Sequence, residues 1–408
     1  MKSTIRQYAI VTGNYWAFTL TDGALRMLVV LHFHQIGYSP LQIAALFLFY
    51  EIFGVVTNLF GGYLGARIGL NRTMNIGLGL QIFALFMLAV PPQWLSVFLV
   101  MTAQALSGIA KDLNKMSAKS SIKSLVSANQ QGQLFKWVAL LTGSKNAIKG
   151  VGFFLGGALL TLFGFKSSVL IMAVALGFIW LASLLLLQQN LGKAKNNPKF
   201  SEIFSKSRAI NILSAARFFL FGARDIWFVV ALPVFLSSQL GWDFWWVGGF
   251  LAVWVIAYGL VQSLAPHVIR LKNNSSEDKS FSSANITFTW AAVLTLVTAA
   301  IAGSLTINFS SSLVLIVGLF VFGAVFAINS SLHSYLIVSY AKEDGASMDV
   351  GFYYMANALG RLIGTLLSGW IYQSAGFVNC LWASVIFLFA AAVVSQGLPH
   401  SLQSKSYE

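Results

Sequence analysis

The sequence predicts an all-α integral membrane protein whose twelve transmembrane helices form two pseudo-symmetric six-helix halves. Three observations carry that prediction. Of 408 residues, 57% are hydrophobic and only 9% charged, with a mean hydropathy of +0.75. A soluble domain carries about 25% charged residues, so this chain could not cover a water-facing surface. Twelve stretches reach the ~20 mostly apolar residues that a bilayer-spanning helix needs. The chain also echoes itself: a shift of 212 brings Lys149, Gly152, Gly157 and Gly164 onto Arg361, Gly364, Gly369 and Gly376. A shift of 203 brings Phe18–Asp22 onto Phe221–Asp225. Both shifts are close to half the chain, the pattern expected of a transporter built from parallel repeats.

Taken in order, the expected spans are 8–34, 40–66, 73–91, 93–115, 134–163, 167–189, 209–236, 244–270, 284–305, 310–336, 347–373 and 378–398. The basic start, Met1 to Arg6, runs into an apolar segment that continues past Leu31 without a small-residue cleavage site, so it does not read as a signal peptide. Residues 1–190 make the N-terminal half, 191–208 a cytoplasmic linker, and 209–408 the C-terminal half. Loop charge sets the orientation. Lys2, Arg6, Arg67, Arg72, Lys115, Lys119, Lys123 and Lys136 fall on one side. Lys193, Lys195, Lys199, Lys206, Arg208, Arg270, Lys272, Lys279, Lys342 and Lys405 join them, and the opposite loops carry only Lys166. The positive-inside rule then places both termini in the cytoplasm, and a multi-pass protein of the inner, cytoplasmic membrane is expected. The segment Ser275–Ser283 is a polar cytoplasmic loop, and no stretch is long enough for a separate catalytic domain. The net charge of +14 is spread over these loops, which does not point to nucleic acid. One cysteine, Cys380, excludes an intrachain disulfide.

Several charges fall inside spans. On the first, Tyr15, Thr19, Asp22 and Arg26 follow at intervals of four, three and four, one polar stripe on a helix. Glu51 lies in the second span, with Gly54 and Asn58 on the same face. The stretch Gly143 to Gly164 carries Lys145, Asn146 and Lys149, and the lysine face continues into Gly152 and Gly156. Arg217, Arg224 and Asp225 lie in the seventh span; Tyr354, Asn357 and Arg361 share a face of the eleventh. A lysine at membrane depth costs about 2.5–3.5 kcal/mol, so these groups require a reason. Arg26, Lys145, Lys149, Arg217, Arg224 and Arg361 outnumber Asp22, Glu51 and Asp225. A small substrate with two or more negative charges would neutralise the excess, bound bidentately by arginine and as point charges by lysine. Cations on both halves would let such a substrate bridge them.

Each feature has a plainer structural alternative. Asp22 could pair with Arg26, Asp225 with Arg224, and Glu51 with Arg26 or Arg361, each making insertion tolerable. Glu51 or Asp22 could instead carry a proton. Lys145 could face the cytoplasmic vestibule. Gly152, Gly156 and Gly157 suit helix packing. Lys111, Asp112 and Lys115 read as interfacial. His32 and His34 point to different helix faces, so no metal site is expected, nor any cofactor. A lipid- or phosphoester-cleaving membrane enzyme would need a clustered constellation, and His267, His333 and His400 are scattered.

The run Gly62-Tyr-Leu-Gly-Ala66-Arg67-Ile-Gly69-Leu-Asn-Arg72 resembles the signature loop of the major facilitator superfamily, which implies the major facilitator fold and a gating role for Gly62, Arg67, Gly69 and Arg72. It departs at Ala66, where the superfamily usually has aspartate, and at Leu70 and Asn71, where basic residues are usual; the ion pair attached to that aspartate is in question here. A more specific resemblance covers essentially the full length. Asn14 to Leu28, His32-Phe-His34, Gly37-Tyr-Ser-Pro40, Leu46 to Glu51, Ala110 to Lys119 and Gly143 to Gly150 are similar to ArsJ, the organoarsenical efflux permease branch. That resemblance implies export of 1-arseno-3-phosphoglycerate and a functional link to the glyceraldehyde-3-phosphate dehydrogenase that makes it from arsenate. The two oxyanions would be held by Lys145, Lys149, Arg217, Arg224 and Arg361, with Asp22 or Glu51 carrying a coupling proton. The same cations would also serve an importer or exchanger of sugar phosphates, phosphate or other organic anions.

Overall fold

The computed structural model describes residues 2–38, 42–43, 46–126, 130–187, 191–195, 199–204, 206–242, 244–269, 282–307 and 311–399. Arg270, Lys272, Lys279 and Lys405, most of the polar segment 275–283, Ser39, Pro40 and His400 lie outside them, as do the side chains of Lys2 and His34. In the first part of the chain the long helices are α1 (Lys2–Gln35), α2 (Leu48–Ile68), α3 (Leu70–Leu88), α4 (Val97–Leu125) and α5 (Gln131–Leu186). They are followed by α6 (Arg208–Phe228), α7 (Ala231–Ser238), α8 (Phe244–Val268), α9 (Ser283–Thr306), α10 (Ser311–Tyr340), α11 (Ala346–Ala375) and α12 (Phe377–Ser395).

Local chemistry explains the breaks. Gly164, at φ 71° and ψ 174°, divides α5 into two antiparallel-capable arms at a conformation that a side chain would strain. Gly376, 212 positions later, has φ 83° and separates α11 from α12. The echo in the sequence is thus the same turn used twice. Pro233 lies in the first turn of α7; it lacks an N–H, and its ring excludes a helical carbonyl four residues back, at Val229. The seventh expected span accordingly breaks into α6 and α7, and the buried amide of Ala231 donates to Ser368 Oγ at 3.1 Å. The fourth span departs most from expectation. Apolarity ends it at 115, yet α4 continues to Leu125.

Among the described residues, six helical stretches are apolar and long enough, by length and composition alone, to cross a membrane: Gln131–Leu186, Arg208–Ser238, Trp246–Val268, Ser283–Thr306, Ser312–Tyr340 and Phe377–Ser395. The helices α1 to α4 and α11 fall outside that set, and each carries buried polar side chains, among them Asp22, Asn58, Gln81, Asp112 and Asn357. Large apolar side chains such as Leu162, Phe178, Leu185, Trp246, Leu366 and Ile386 face outward, as a lipid-solvated surface requires.

The chain packs into two compact units. The first contains residues 1–127, 144–205 and 341–355, the second 128–143, 206–340 and 356–408. In the first, α4 packs against α1, α2 and α3. Ala24, Leu25, Leu28 and Phe33 of α1 meet Leu85, Val100 and Val169 in its apolar core. In the second, α12 packs against α6 and α9. Trp227, Trp254, Phe322 and Phe326 lie at the centre of that core.

Small residues let backbones meet in both units. A Cβ on Gly152 would lie 2.7 Å from the carbonyl oxygen of Leu20 and 3.2 Å from the amide of Ala24. A Cβ on Gly364, its counterpart, would lie 2.5 Å from the carbonyl of Gly222. The packing alternative for this glycine stripe is therefore the observed one at Gly152 and Gly156. Gly157 is different, because its nearest neighbour would be Leu31 Cδ1 at 3.7 Å. Gly152→Leu should separate α5 from α1 and lower both yield and thermal stability of the detergent-extracted protein. Gly157→Ala should be tolerated, since helix propensity favours alanine by up to about 1 kcal/mol; equal loss in both variants would contradict this packing.

Candidate functional site

A carboxylate buried in a low-dielectric interior must be ion-paired or hydrogen-bonded, and the partners found here are through-space ones. In the first unit Asp22, 5% exposed, accepts a hydrogen bond from Tyr50 Oη at 2.7 Å. Lys149 Nζ lies 3.8 Å from its other oxygen. Arg26 does not pair with Asp22 despite the spacing of four; its guanidinium reaches Glu51 Oε1 at 3.3 Å. It also lies over the rings of Phe47 and Tyr50, with centroids 5.0 and 4.9 Å away. Glu51 therefore takes the first of the two partners weighed for it. Lys145 Nζ donates to Asn146 Oδ1 at 3.3 Å.

Lys119 is not in a loop, and Lys111, Asp112 and Lys115 are packed within the protein rather than turned to solvent. All four lie in the body of α4, and Asp112 and Lys119 are 2% and 3% exposed. Lys115 Nζ donates to Asp112 Oδ1 at 2.5 Å, and Lys111 Nζ is 3.8 Å from Oδ2. Lys111 also sits 3.8 Å above the ring of Tyr50. Tyr354 at the start of α11 receives the other two: its hydroxyl bonds Lys119, and its ring lies 4.6 Å from Lys115 Nζ and 4.7 Å from Lys119 Nζ. Tyr50 thus touches Asp22, Arg26 and Lys111 at once. The i, i+4, i+8 spacing of Lys111, Lys115 and Lys119 was the available signal, the same rule that singles out Lys145 and Lys149. The early end assigned to the fourth span hid it.

The second unit repeats the central pair. Asp225 is fully buried, and Arg361 Nε donates to its Oδ2 at 2.9 Å. Its other oxygen accepts from Arg224 Nε at 2.6 Å. Asp225 and Arg361 are the repeat counterparts of Asp22 and Lys149. Arg217, 3% exposed, is held by Asn357 Oδ1 at 2.8 Å and by the carbonyl and hydroxyl of Ser330, both at 3.3 Å. Its guanidinium stacks 3.8 Å over the ring of Phe221. Gln262 completes the set by donating to Ser330 Oγ at 3.1 Å.

The signature-loop residues divide by role. A Cβ on Gly62 would strike the carbonyl of Ser347 at 2.5 Å, and Ser347 Oγ donates to the Gly62 carbonyl at 2.7 Å. Gly69, at φ 99°, forms the joint between α2 and α3. Arg67 and Arg72 are exposed, with Arg67 donating to Tyr63 Oη at 3.0 Å. Ala66, where an aspartate is usual, is fully buried and its carbonyl accepts from the amide of Ala194 at 2.9 Å.

No curated protein sequence matches the chain significantly. Solved structures do match its fold. One is a bacterial homologue of the iron transporter ferroportin in an outward-facing state, at 15% identity and a TM-score of 0.74, covering 95% of this chain and 98% of that one. Another is the human organic anion transporter MFSD10 (TETRAN), at 14% identity and a TM-score of 0.74, covering 96% and 99%. A third is the E. coli fucose:proton symporter, at 13% identity and a TM-score of 0.74, covering 97% and 98%. The family model for the Major Facilitator Superfamily matches residues 11–276. The match takes in well over half of the chain, which therefore belongs to the Major Facilitator Superfamily: it is a multi-pass membrane transporter, not an enzyme, with the all-α fold of two six-helix halves.

Proposed function

We propose that this transporter is a proton-coupled secondary active exporter of 1-arseno-3-phosphoglycerate, working by alternating access and conferring arsenate resistance. The observation that carries the reading is the surplus of inward-held positive charge within each unit. Among the described residues of the first, Arg26, Lys111, Lys115, Lys119, Lys145 and Lys149 stand against Asp22, Glu51, Asp112 and Asp349. In the second, Arg217, Arg224 and Arg361 stand against Asp225. A cation such as iron or a neutral sugar would leave that surplus in place, whereas a molecule bearing both a phosphate and an arsenate group would offset it. The full-length resemblance to the organoarsenical permeases supports the specific substrate, and the likeness in fold to an organic anion transporter is compatible with it.

In this reading Lys145, Lys149, Asn146 and Arg26 of the first unit, and Arg217, Arg224, Arg361 and Asn357 of the second, bind the oxyanions. Asp22 carries the coupling proton, because its protonation would release Lys149 toward the substrate. Asp225, held between two arginines, and Glu51, paired with Arg26, keep the frame neutral. The halves 1–190 and 209–408 are joined by a cytoplasmic linker at 191–208, and both termini lie on the cytoplasmic face of the inner membrane. The substrate would be supplied by a glyceraldehyde-3-phosphate dehydrogenase acting with arsenate. The second reading, an exchanger of sugar phosphates, phosphate or other organic anions, uses the same cations.

Everted membrane vesicles supplied with arsenate, glyceraldehyde 3-phosphate, NAD and the dehydrogenase should accumulate arsenic only when the transporter is present. Accumulation that is absent in vesicles shown to hold folded transporter contradicts the arsenical assignment and favours the exchanger. Asp22→Asn should abolish uptake driven by a pH gradient while leaving substrate counterflow between equilibrated compartments measurable. Loss of both, with normal expression, would assign Asp22 to structure rather than coupling.

A further inference from the structure

Tyr50 touches charged side chains on two other helices of the first unit, yet the coupling role given to Asp22 assigns it no part. Its place is set by the backbone. A Cβ on Gly108 would lie 2.5 Å from the Tyr50 carbonyl oxygen, so α2 and α4 meet there with no side chain between them. One turn further along α2, a Cβ on Gly54 would lie 2.8 Å from Asp112 Oδ2. The Tyr50 side chain, 2% exposed, then has its two ends on different helices. Its hydroxyl donates to Asp22 Oδ1 of α1 at 2.7 Å. Its ring meets Arg26 of α1 at 4.9 Å and, at 3.8 Å, Lys111, the first member of the α4 lysine ladder Lys111, Lys115 and Lys119. One phenol joins the carboxylate of α1 to a cation of α4.

The two ends are not independent. A hydroxyl donating to a carboxylate makes a charge-assisted bond, about twice as strong as one to a neutral acceptor. That bond polarises the phenol and leaves more electron density on the ring that faces the cations. A proton arriving on Asp22 removes the charge, the bond from Tyr50 weakens, and the ring's hold on Lys111 weakens with it. Tyr50 keeps its own proton throughout. The charged groups around this carboxylate are Lys149 of α5, Arg26 of α1, Glu51 of α2, and Lys111, Asp112 and Lys115 of α4. Lys149 meets Asp22 directly, and Tyr50 carries the same event to α4.

We propose that Tyr50 is a positioning residue that transmits protonation of Asp22 to Lys111, so that α4 responds to the coupling proton. This rests on the reading that Asp22 carries that proton, and it adds the route by which α2 and α4 take part.

The test uses everted vesicles holding equal amounts of folded transporter, supplied with arsenate, glyceraldehyde 3-phosphate, NAD and the dehydrogenase. Arsenic entry is followed with and without an imposed pH gradient, acid inside, for wild type, Tyr50→Phe, Lys111→Gln, the double variant and Asp22→Asn. Tyr50→Phe keeps the ring and loses the hydroxyl. It should lower gradient-driven entry by about tenfold while gradient-free entry stays within about twofold of wild type. Lys111→Gln should do the same, and the double variant should be no worse than either single, as for two members of one route. An equal fall in both kinds of entry in Tyr50→Phe marks a structural role and overturns the inference. A full gradient response in Tyr50→Phe, with none in Asp22→Asn, overturns it and leaves Asp22 standing as the carrier. Losses that multiply to about a hundredfold in the double variant overturn the transmission to α4. A gradient response that survives in Asp22→Asn, or is absent from wild type, overturns the coupling reading and this inference with it.

Discussion

A carboxylate on the first helix of each half, paired with a cation on the fifth, is the contact around which the rest of the protein is arranged. Asp22 with Lys149 and Asp225 with Arg361 are related by the same internal repeat. In each case the helices that carry the pair are drawn together by a glycine crossing, Gly152 against Leu20 and Gly364 against Gly222. The two features depend on each other. Without close backbones the short aspartate could not reach its partner. Without the pair, the charges would make the same helices costly to insert. Removing one member of such a pair leaves the other buried and costs about 3–5 kcal/mol.

The pairs also separate framework charges from working ones. In the second unit Asp225 holds two arginines, which leaves Arg217 on a bed of amide and hydroxyl acceptors with an aromatic face beneath it. In the first, the Tyr50 ring faces Arg26 and Lys111 while its hydroxyl donates to Asp22, and Tyr354 presents its ring to Lys115 and Lys119 and its hydroxyl oxygen to Lys119. Tyrosine supplies electron density without a full negative charge. On the proposed reading the positive surplus is moderated but not cancelled, a state suited to an anion that must both bind and leave. A carrier in which every cation met a carboxylate would have little reason to select an anion.

Much of this was legible in the sequence. Composition and span length give the membrane fold, and the 212-residue echo marks turns and crossings that recur in the structure. Gly164 and Gly376 are both at positive φ, and Gly152 and Gly364 both press on a neighbouring backbone, whereas Gly157 and Gly369 make no such close approach. Partner choice is legible only in part: Asp225 with Arg224 and Glu51 with Arg26 are among the pairs weighed from the sequence, whereas Asp22 meets Lys149. Helix spacing identifies side chains on one face, so Asp22 and Arg26 looked like a pair. The true partners, Lys149 and Glu51, come from other helices, and periodicity carries no information about which helices touch. The α4 ladder was lost differently. A hydropathy boundary at Lys115 falls inside the lysine series and leaves Lys119 to a loop, as if charge marked water. Here the charge is buried by Tyr354, from a segment more than 200 residues away, at the start of a helix whose placement no local rule predicts.

The central claim is that uncancelled positive charge selects a multiply charged anion. Its most direct test is the affinity of the purified transporter for a series of similar size and rising charge: glycerol, glycerate, 3-phosphoglycerate and 2,3-bisphosphoglycerate, at two ionic strengths. Affinity should rise with each added negative charge and fall for the charged members as salt increases. Affinity that is independent of charge, or greatest for glycerol, would contradict the account.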